Sequence, residues 1–140
     1  MLVRNLIFQK TNIPLLNSAL NVTSLRHRAI SNNIANANTL GYKRKEVDFA
    51  SYLRAQVAKP KVTGMRTNSQ HLPLGNAAAK GPRVFEPDPG PNTTGTNNVD
   101  VDMEMASLAE NHLLYNIGSH LLGGTFRGIR KSIVGQPGRG

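Results

Sequence analysis

The sequence predicts a mainly α protein whose long N- and C-terminal helices pair as a coiled coil, with an irregular or partly β, Pro/Gly-rich middle segment between them. Near both ends of the chain, apolar residues recur three and four positions apart, which is typical of helices that bury one face. Between these stretches, residues 58–98 hold six of the eight prolines and five of the thirteen glycines. This middle segment has no apolar period, which indicates a loop.

The composition indicates that one copy of the chain has too little apolar material for a large core of its own. The 140 residues are 39% hydrophobic and 5% aromatic, and they include no cysteine. The missing cysteines exclude disulfides and thiolate metal sites. No stretch approaches the ~20 consecutive apolar residues that a membrane-spanning helix needs.

The first helix is predicted over residues 12–38, after a mobile segment at 1–11. Asn12 is a suitable N-cap, and Pro14 fits the first turn, where a missing N–H costs nothing. The heptad seam of this helix has Thr23 and His27 as polar positions, and its apolar members are Ile13, Leu16, Leu20, Ile30 and Ile34. A helix this long with so few apolar residues needs a partner surface.

The end of the first helix is dense in asparagine, at positions 32, 33, 36 and 38. Asparagine side chains compete with the helical backbone for hydrogen bonds, so this density does not favour the helix itself. We therefore expect these amides to contact another chain. Gly41 then ends the helix in the left-handed region, with Thr39 and Leu40 as the preceding turn.

The next segment, residues 39–57, is predicted to contain this turn and a short amphipathic helix. Residues 58–98 are expected to be flexible and to face outward, with Met65 and Val84 as candidates for a β-hairpin.

The second long helix is predicted over residues 99–134, capped by Asp100 or Asp102 and followed by a frayed tail at 135–140. Its seam contains Met105, Leu108, Tyr115, Leu122, Phe126 and Ile129. A second apolar stripe, which consists of Ala106, Ala109, Leu113, Ile117 and Leu121, runs beside this seam. Two stripes on one helix imply contacts with more than one other helix.

The net charge of +9 is unevenly distributed. The first 45 residues hold seven basic residues and no acid, whereas most acids lie between Glu86 and Glu110. Such segregation favours binding to nucleic acid, to a membrane surface or to further copies of the same chain. The basic residues are spread along the chain and aromatic residues are few, so nucleic-acid binding is the alternative and not the main hypothesis.

The sequence contains no pattern of catalytic or ligand-binding residues. There is no nucleophile elbow, phosphate loop or dinucleotide fingerprint. His112 and His120 lie roughly 12 Å apart along one helix face, too far to share a metal ion. We therefore predict no enzymatic activity, no cofactor and no metal site.

Two runs of sequence resemble the axial proteins of the bacterial flagellum, the family of rod and hook subunits. Residues 31–49, SNNIANANTLGYKRKEVDF, are similar to the N-terminal signature of that family, with Leu40 where the family often has proline. Residues 97–133 resemble the C-terminal end of a proximal rod member. The resemblance implies a structural subunit of the basal-body rod, which polymerises through its terminal helices into a torque-transmitting shaft for motility.

The same resemblance implies partners, a location and contact residues. The partners would be further copies of the chain, the rod protein FlgC, the adaptor FliE and the flagellar export apparatus. The location would be the rod in the periplasm, reached by type III export without a cleaved signal peptide. The residues expected at subunit contacts are those of the motif, namely Asn32, Asn33, Asn36, Asn38, Thr39, Gly41 and Tyr42. Within the family, FlgC itself is the nearest alternative identity.

Overall fold

The computed structural model describes residues 11–58, 81–88 and 97–135, which are mainly helical. The elements in this part of the chain are α1 (Ile13–Ala35), β1 (Glu46–Val47), α2 (Phe49–Val57), β2 (Val84–Phe85) and α3 (Val101–Val134). The two long helices, α1 and α3, pack against each other. The prediction of a mainly α protein with long N- and C-terminal helices in contact is confirmed.

Proline and glycine set the limits of α1 and of the turn behind it. Pro14 lies in the first turn of α1, and the Asn12 side chain makes no capping hydrogen bond. After Ala35 the chain winds through a turn in which the Tyr42 N–H donates to the Thr39 carbonyl over 3.2 Å. Gly41 has a φ of 73° in this turn, a backbone conformation that glycine adopts without steric cost.

The other two helices begin at aspartate caps. The Asp48 carboxylate accepts a hydrogen bond of 3.1 Å from the Ser51 N–H at the start of α2. This hydrogen bond holds the pKa of Asp48 below its ordinary value. At α3, Asp100 accepts from the Met103 N–H over 3.1 Å, so Asp100, one of the two predicted caps, is the residue that caps this helix.

α1 and α3 are antiparallel and close together. Asn33, near the end of α1, bonds to Glu104 near the start of α3, and Leu20 lies against Gly118 further along. A Cβ at position 118 would lie 3.1 Å from Leu20 Cδ2, so the lack of a side chain permits the close approach. Counting along both helices from this contact puts Ile13 level with Thr125, and the end of α3 therefore extends past α1.

The apolar core lies on a second face of α1, turned towards β1 and α2. Val22, Ala29 and Val47 are buried there. The partly buried side chains of Leu25, Phe49, Tyr52 and Leu53 pack against them. The helix therefore divides its surface between a helical partner on one side and this small core on the other.

The two short strands are antiparallel, with Glu46 opposite Phe85 and Val47 opposite Val84. Val84 thus lies in a strand as expected, but its partner is the segment just after the asparagine-rich turn. Met65, the other residue of the hairpin predicted with Val84, lies outside the described residues, so that hairpin stays a prediction.

Several predicted segments lie wholly or largely outside the described residues. They are the N-terminal segment at 1–11, the middle at 58–98 with Met65, and the tail at 135–140, of which residues 11, 58, 81–88, 97–98 and 135 are described. Within the described residues, no helix combines the length and the apolar character required to cross a bilayer.

The Val22 side chain is fully buried in the small core, so its truncation tests that core. We expect Val22→Ala to lower the free energy of unfolding by about 2 kcal/mol, because methyl groups are lost and a cavity remains. Val57 is 69% exposed and serves as the matched control. We expect Val57→Ala to change stability by less than about 0.5 kcal/mol. Urea denaturation followed by circular dichroism measures both, and equal effects would contradict the proposed core.

Candidate functional site

Asn33 is the centre of a buried polar cluster that joins α1, the turn and α3. Its side chain is 0% exposed. The amide Nδ2 donates to the Lys45 carbonyl over 2.8 Å and to Glu104 Oε2 over 3.2 Å. Its Oδ1 accepts from the Lys45 N–H over 2.9 Å and from the Tyr42 hydroxyl over 3.1 Å. These four bonds use the full capacity of an amide, two donors and two lone pairs.

Glu104 brings a buried negative charge into the same cluster. It is 0% exposed, and its Oε1 accepts a hydrogen bond from Arg44 Nε. Arg44 also donates from Nη1 to Glu46 over 3.0 Å. A buried carboxylate is tolerated only when such bonds compensate the loss of water. Here Asn33 and Arg44 together provide that compensation.

The charges in this cluster alter the ionisation of their neighbours. Burial alone would lower the pKa of the Arg44 guanidinium, but the hydrogen bonds and negative charges of Glu104 and Glu46 together outweigh burial, and the pKa is raised. The pKa of Tyr42 is raised by burial and, second, by the charge of Glu104. The two raised pKa values favour the charged form of Arg44 and the neutral phenol of Tyr42.

Two asparagines just before α3 complete the cluster from the other side. Asn97 Nδ2 donates to the carbonyls of Asn36, Ala37 and Thr39, which lie at the end of α1 and in the turn. Asn98 Oδ1 accepts from the Arg44 N–H over 2.8 Å. The carbonyl groups at the end of α1 and in the turn therefore accept hydrogen bonds from Asn97, about sixty residues further along the chain. We call Asn33, Tyr42, Arg44, Asn97, Asn98 and Glu104 the asparagine cluster.

The motif residues predicted at subunit contacts occupy different environments. Asn32, Asn38, Thr39 and Gly41 are exposed, while Asn36 and Tyr42 are half-buried. The Asn36 amide donates to the Asn32 carbonyl over 2.8 Å. Asn33 was expected to be a surface amide and is not, because its side chain is enclosed and fully bonded within the chain. This corrects the interpretation of Asn33.

The sequence missed Arg44, Asn97, Asn98 and Glu104 as parts of this site. No local signal marked Glu104, because it is an acid in the first turn of α3, where the helix dipole favours acids. Its partners could not be identified from spacing, since Arg44 lies sixty residues earlier in the chain.

The seam residues are also divided between buried and exposed positions. Ile13 and Ile30 are buried, and Leu16, Leu20, Ile34, Leu108, Leu122 and Ile129 are half-buried. Met105, Tyr115 and Phe126 are 52%, 44% and 51% exposed. The face of α3 that meets α1 instead includes Glu104, Asn111 and Gly118. Glu104 and Asn111 each precede a predicted seam position by one residue, so α3 is rotated relative to the prediction. The polar contacts of Glu104 and Asn111 fix this rotation.

The second stripe of α3, from Ala106 to Leu121, is exposed at all five positions. In the part of the chain that the structure describes, no group of three or more histidine, cysteine or acidic side chains could hold a metal ion. The described residues thus show a polar cluster that joins α1 to α3 and an exposed apolar surface on α3.

Removing the Asn33 amide should weaken the packing of α1 against α3. We expect Asn33→Ala to lower the free energy of unfolding by about 3 kcal/mol, because the Glu104 carboxylate and the Lys45 backbone lose buried partners. Asn38 belongs to the same run but is exposed, so Asn38→Ala should change stability by less than about 0.5 kcal/mol. Thermal and urea unfolding measure both, and similar values for the pair would contradict the central place of Asn33.

Comparison with known proteins identifies the family. A family model described as flagella basal body rod protein matches residues 16–43, which run from α1 through the turn. The flagellar basal body rod protein FlgB of Salmonella typhimurium (strain LT2) is 30% identical over 122 residues, covering 84% of this chain and 88% of the relative.

Two further relatives, both also flagellar basal body rod proteins FlgB, give the same result. The one from Escherichia coli (strain K12) is 36% identical over 121 residues, which cover 79% of this chain and 84% of the relative. The one from Bacillus subtilis (strain 168) is 30% identical over 120 residues, 86% of this chain and 91% of the relative. The chain therefore belongs to the FlgB family of flagellar basal body rod proteins, which are structural and not catalytic.

Proposed function

We propose that this chain is a subunit of the proximal rod, and that it polymerises through its terminal helices into the shaft that transmits torque for flagellum-dependent motility. The observation that carries the proposal is the placement of exposed apolar side chains. Ten of the thirteen large hydrophobic residues that are exposed among the described residues lie on α3. A concentration of this kind marks a surface for association.

The central part of this surface is a continuous stripe. Leu113, Ile117 and Leu121 are 61%, 48% and 56% exposed. They follow one another at intervals of four residues, so they share one side of the helix. The face of α3 that contacts α1 contains Asn111 and Gly118 and lies on the other side. Helices of neighbouring subunits packing on this stripe would form the coiled-coil core that the sequence predicts.

The end of α3 adds to the association surface. Past the level of Ile13, α3 has no partner in α1, and Phe126, Ile133 and Val134 are 51%, 77% and 61% exposed there. An apolar helix end that lies beyond its partner helix gains stability when a neighbouring copy covers it. Assembly would thus bury surface along α3 and also at its end.

The finer organisation of the chain in the rod belongs to the same proposal. Residues 12–38 and 99–134 form the core helices, and residues 39–57 form the motif turn and short helix. Among the motif residues, the exposed Asn32 and Asn38 contact a neighbouring subunit through their side-chain amides. The exposed Thr39 does so as an acceptor, since its hydroxyl already donates to Asn36 Oδ1 over 3.3 Å and keeps its lone pairs.

We assign further partners by family membership. The rod protein FlgC and the adaptor FliE are the neighbours of this subunit along the shaft, and the flagellar export apparatus carries the subunit to the periplasm without cleaving a signal peptide. The nearest alternative, that the chain is itself FlgC, is disfavoured because the relatives reported above are all named FlgB.

A charge placed on the stripe tests the assembly surface. We expect Ile117→Asp to leave the fold of the subunit intact, since the side chain is exposed, and to abolish motility, because burying an unpaired carboxylate between helices is strongly unfavourable. Val57 on α2 is equally apolar and 69% exposed, so Val57→Asp is the control and should preserve motility. Complementation of a strain that lacks the gene, scored on soft agar, gives the result. Motility that survives Ile117→Asp would exclude this stripe as a contact.

Deleting the gene tests the function as a whole. We expect cells without it to lack flagella while the export machinery at the inner membrane remains assembled, because the shaft cannot be built without its proximal subunit. Electron microscopy of isolated basal bodies measures this. Complete rods and normal filaments in the deletion strain would rule the proposal out.

A further inference from the structure

A groove between α1 and α3 is formed from polar and aromatic side chains. Its volume is about 270 Å³, and it is lined by Thr23, Ser24 and His27 from α1 and by Asn111, His112 and Tyr115 from α3. All six side chains carry hydrogen-bonding groups, and the His27, His112 and Tyr115 rings offer π faces. Such a lining suits a ligand group that combines hydrogen-bond donors with a planar surface.

The side-chain oxygen of Asn111, which lines this groove, lacks a hydrogen-bond donor. Asn111 is 2% exposed, and its Nδ2 donates to the Thr23 carbonyl over 3.0 Å. Its Oδ1 is buried without a hydrogen-bond partner. Exchanging the two amide atoms would set Oδ1 against the Thr23 carbonyl oxygen, so the orientation is fixed. A buried acceptor left unpaired destabilises the isolated subunit, and an incoming donor would relieve that cost.

The groove is accessible from solvent through movable side chains. His112 and Tyr115 are exposed, and exposed side chains change rotamer on the nanosecond scale. A donor entering the groove can displace these two rings and reach Asn111 Oδ1.

The charge distribution along α3 indicates where such a donor comes from. The first part of the helix contains Asp102, Glu104 and Glu110 and no basic residue, whereas the last turns contain Arg127, Arg130 and Lys131 and no acid. None of these three basic side chains has an ion pair within the described part of the chain. Opposite charges at the two ends of one helix favour copies that associate head to tail.

The composition makes a neutral acceptor useful for this contact. The chain has 17 basic and 8 acidic residues, so a polymer of identical copies cannot give each cation a carboxylate of its own. Some guanidinium groups at the contacts between copies must bind to neutral oxygens and aromatic faces. The groove offers both, and Glu110 lies beside it, 61% exposed in its ion pair with Arg26.

We propose that this groove is the receptor for the Arg130 side chain of a second copy of the chain, an inference that rests on the proposed function because it specifies one contact of the polymer. The guanidinium donates to Asn111 Oδ1 of the receiving copy and stacks on Tyr115. Arginine fits better than lysine because its planar fork combines several donors with a flat face that packs on aromatic rings.

This contact sets the axial offset between copies. Position 130 follows position 115 on α3 by fifteen residues, which is roughly 22 Å at 1.5 Å per residue. A copy whose Arg130 reaches the groove of the next is therefore displaced by about that distance along the helix axis. The interface joins two different surfaces, so it leaves a free groove at one end and a free arginine at the other, and it propagates as an open polymer.

Engineered cysteines test this register directly, since the natural chain has none. One full-length chain carries Tyr115→Cys and a second carries Arg130→Cys; the two are mixed under mild oxidation. We expect a mixed disulfide between the chains. Within one chain the two positions are about 22 Å apart along the helix, far beyond the ~4.4–6.8 Å between Cα atoms that a disulfide requires. Ala55→Cys, exposed on α2, is the control for Tyr115→Cys and should not cross-link to Arg130→Cys.

The strength of the contact is measured with uncross-linked variants. We expect Arg130→Gln to weaken self-association by about tenfold in sedimentation velocity, the effect of losing a charged hydrogen bond. Ser132→Gln adds an amide to the same exposed helix end and should leave association unchanged. Circular dichroism verifies that each variant keeps its helices.

The results of these experiments distinguish failure of the groove contact from failure of the proposed rod function. Self-association with neither the 115–130 disulfide nor the Arg130→Gln effect would overturn the groove contact and leave the rod subunit intact as a proposal. A chain that never self-associates, and whose Ile117→Asp variant supports normal motility, would overturn both.

Discussion

The fold depends on a buried exchange of hydrogen bonds and charge between Asn33 and Glu104, two residues that the sequence separates by seventy-one positions. A buried carboxylate is expensive unless its partners are in place, and removal of one partner costs more than the intact set contributes. Only one register of α1 against α3 supplies Asn33 and Arg44 to Glu104 together. The asparagine cluster therefore fixes the register of the two long helices more strictly than apolar packing would.

The polar and apolar surfaces of α3 have different roles. Towards α1, the helix presents Glu104 and Asn111, which recognise one specific arrangement. Away from α1, it presents Leu113, Ile117 and Leu121, which adapt to any apolar partner of suitable shape. A subunit built in this way sets its own conformation with directional bonds and keeps its hydrophobic surface for its neighbours. This division suits a subunit whose conformation is fixed by internal polar contacts and whose apolar surface is left for association.

The position of α1 between two partners explains the small core. Val22 and Ala29 face β1 and α2, while Thr23 and Leu20 face α3 on the neighbouring side of the same helix. The apolar residues of α1 are thus shared between two contacts, and neither contact becomes extensive. Close approach compensates in part, because Gly118 lets Leu20 lie directly against the backbone of α3.

The sequence by itself determined the helical class, the two long helices, an aspartate cap on α3 and the left-handed turn at Gly41, because each follows from local patterns such as apolar period, cap chemistry and the freedom of glycine. It also indicated the family, through the residues around that turn. The tertiary structure alone decided that Asn33 is buried, that Val84 pairs with Val47, and that α3 is rotated to present Glu104 and Asn111 to α1. These features depend on contacts between residues far apart in the chain. No local spacing encodes them, and an amide or a carboxylate looks the same in sequence whether it contacts water or closes a buried cluster.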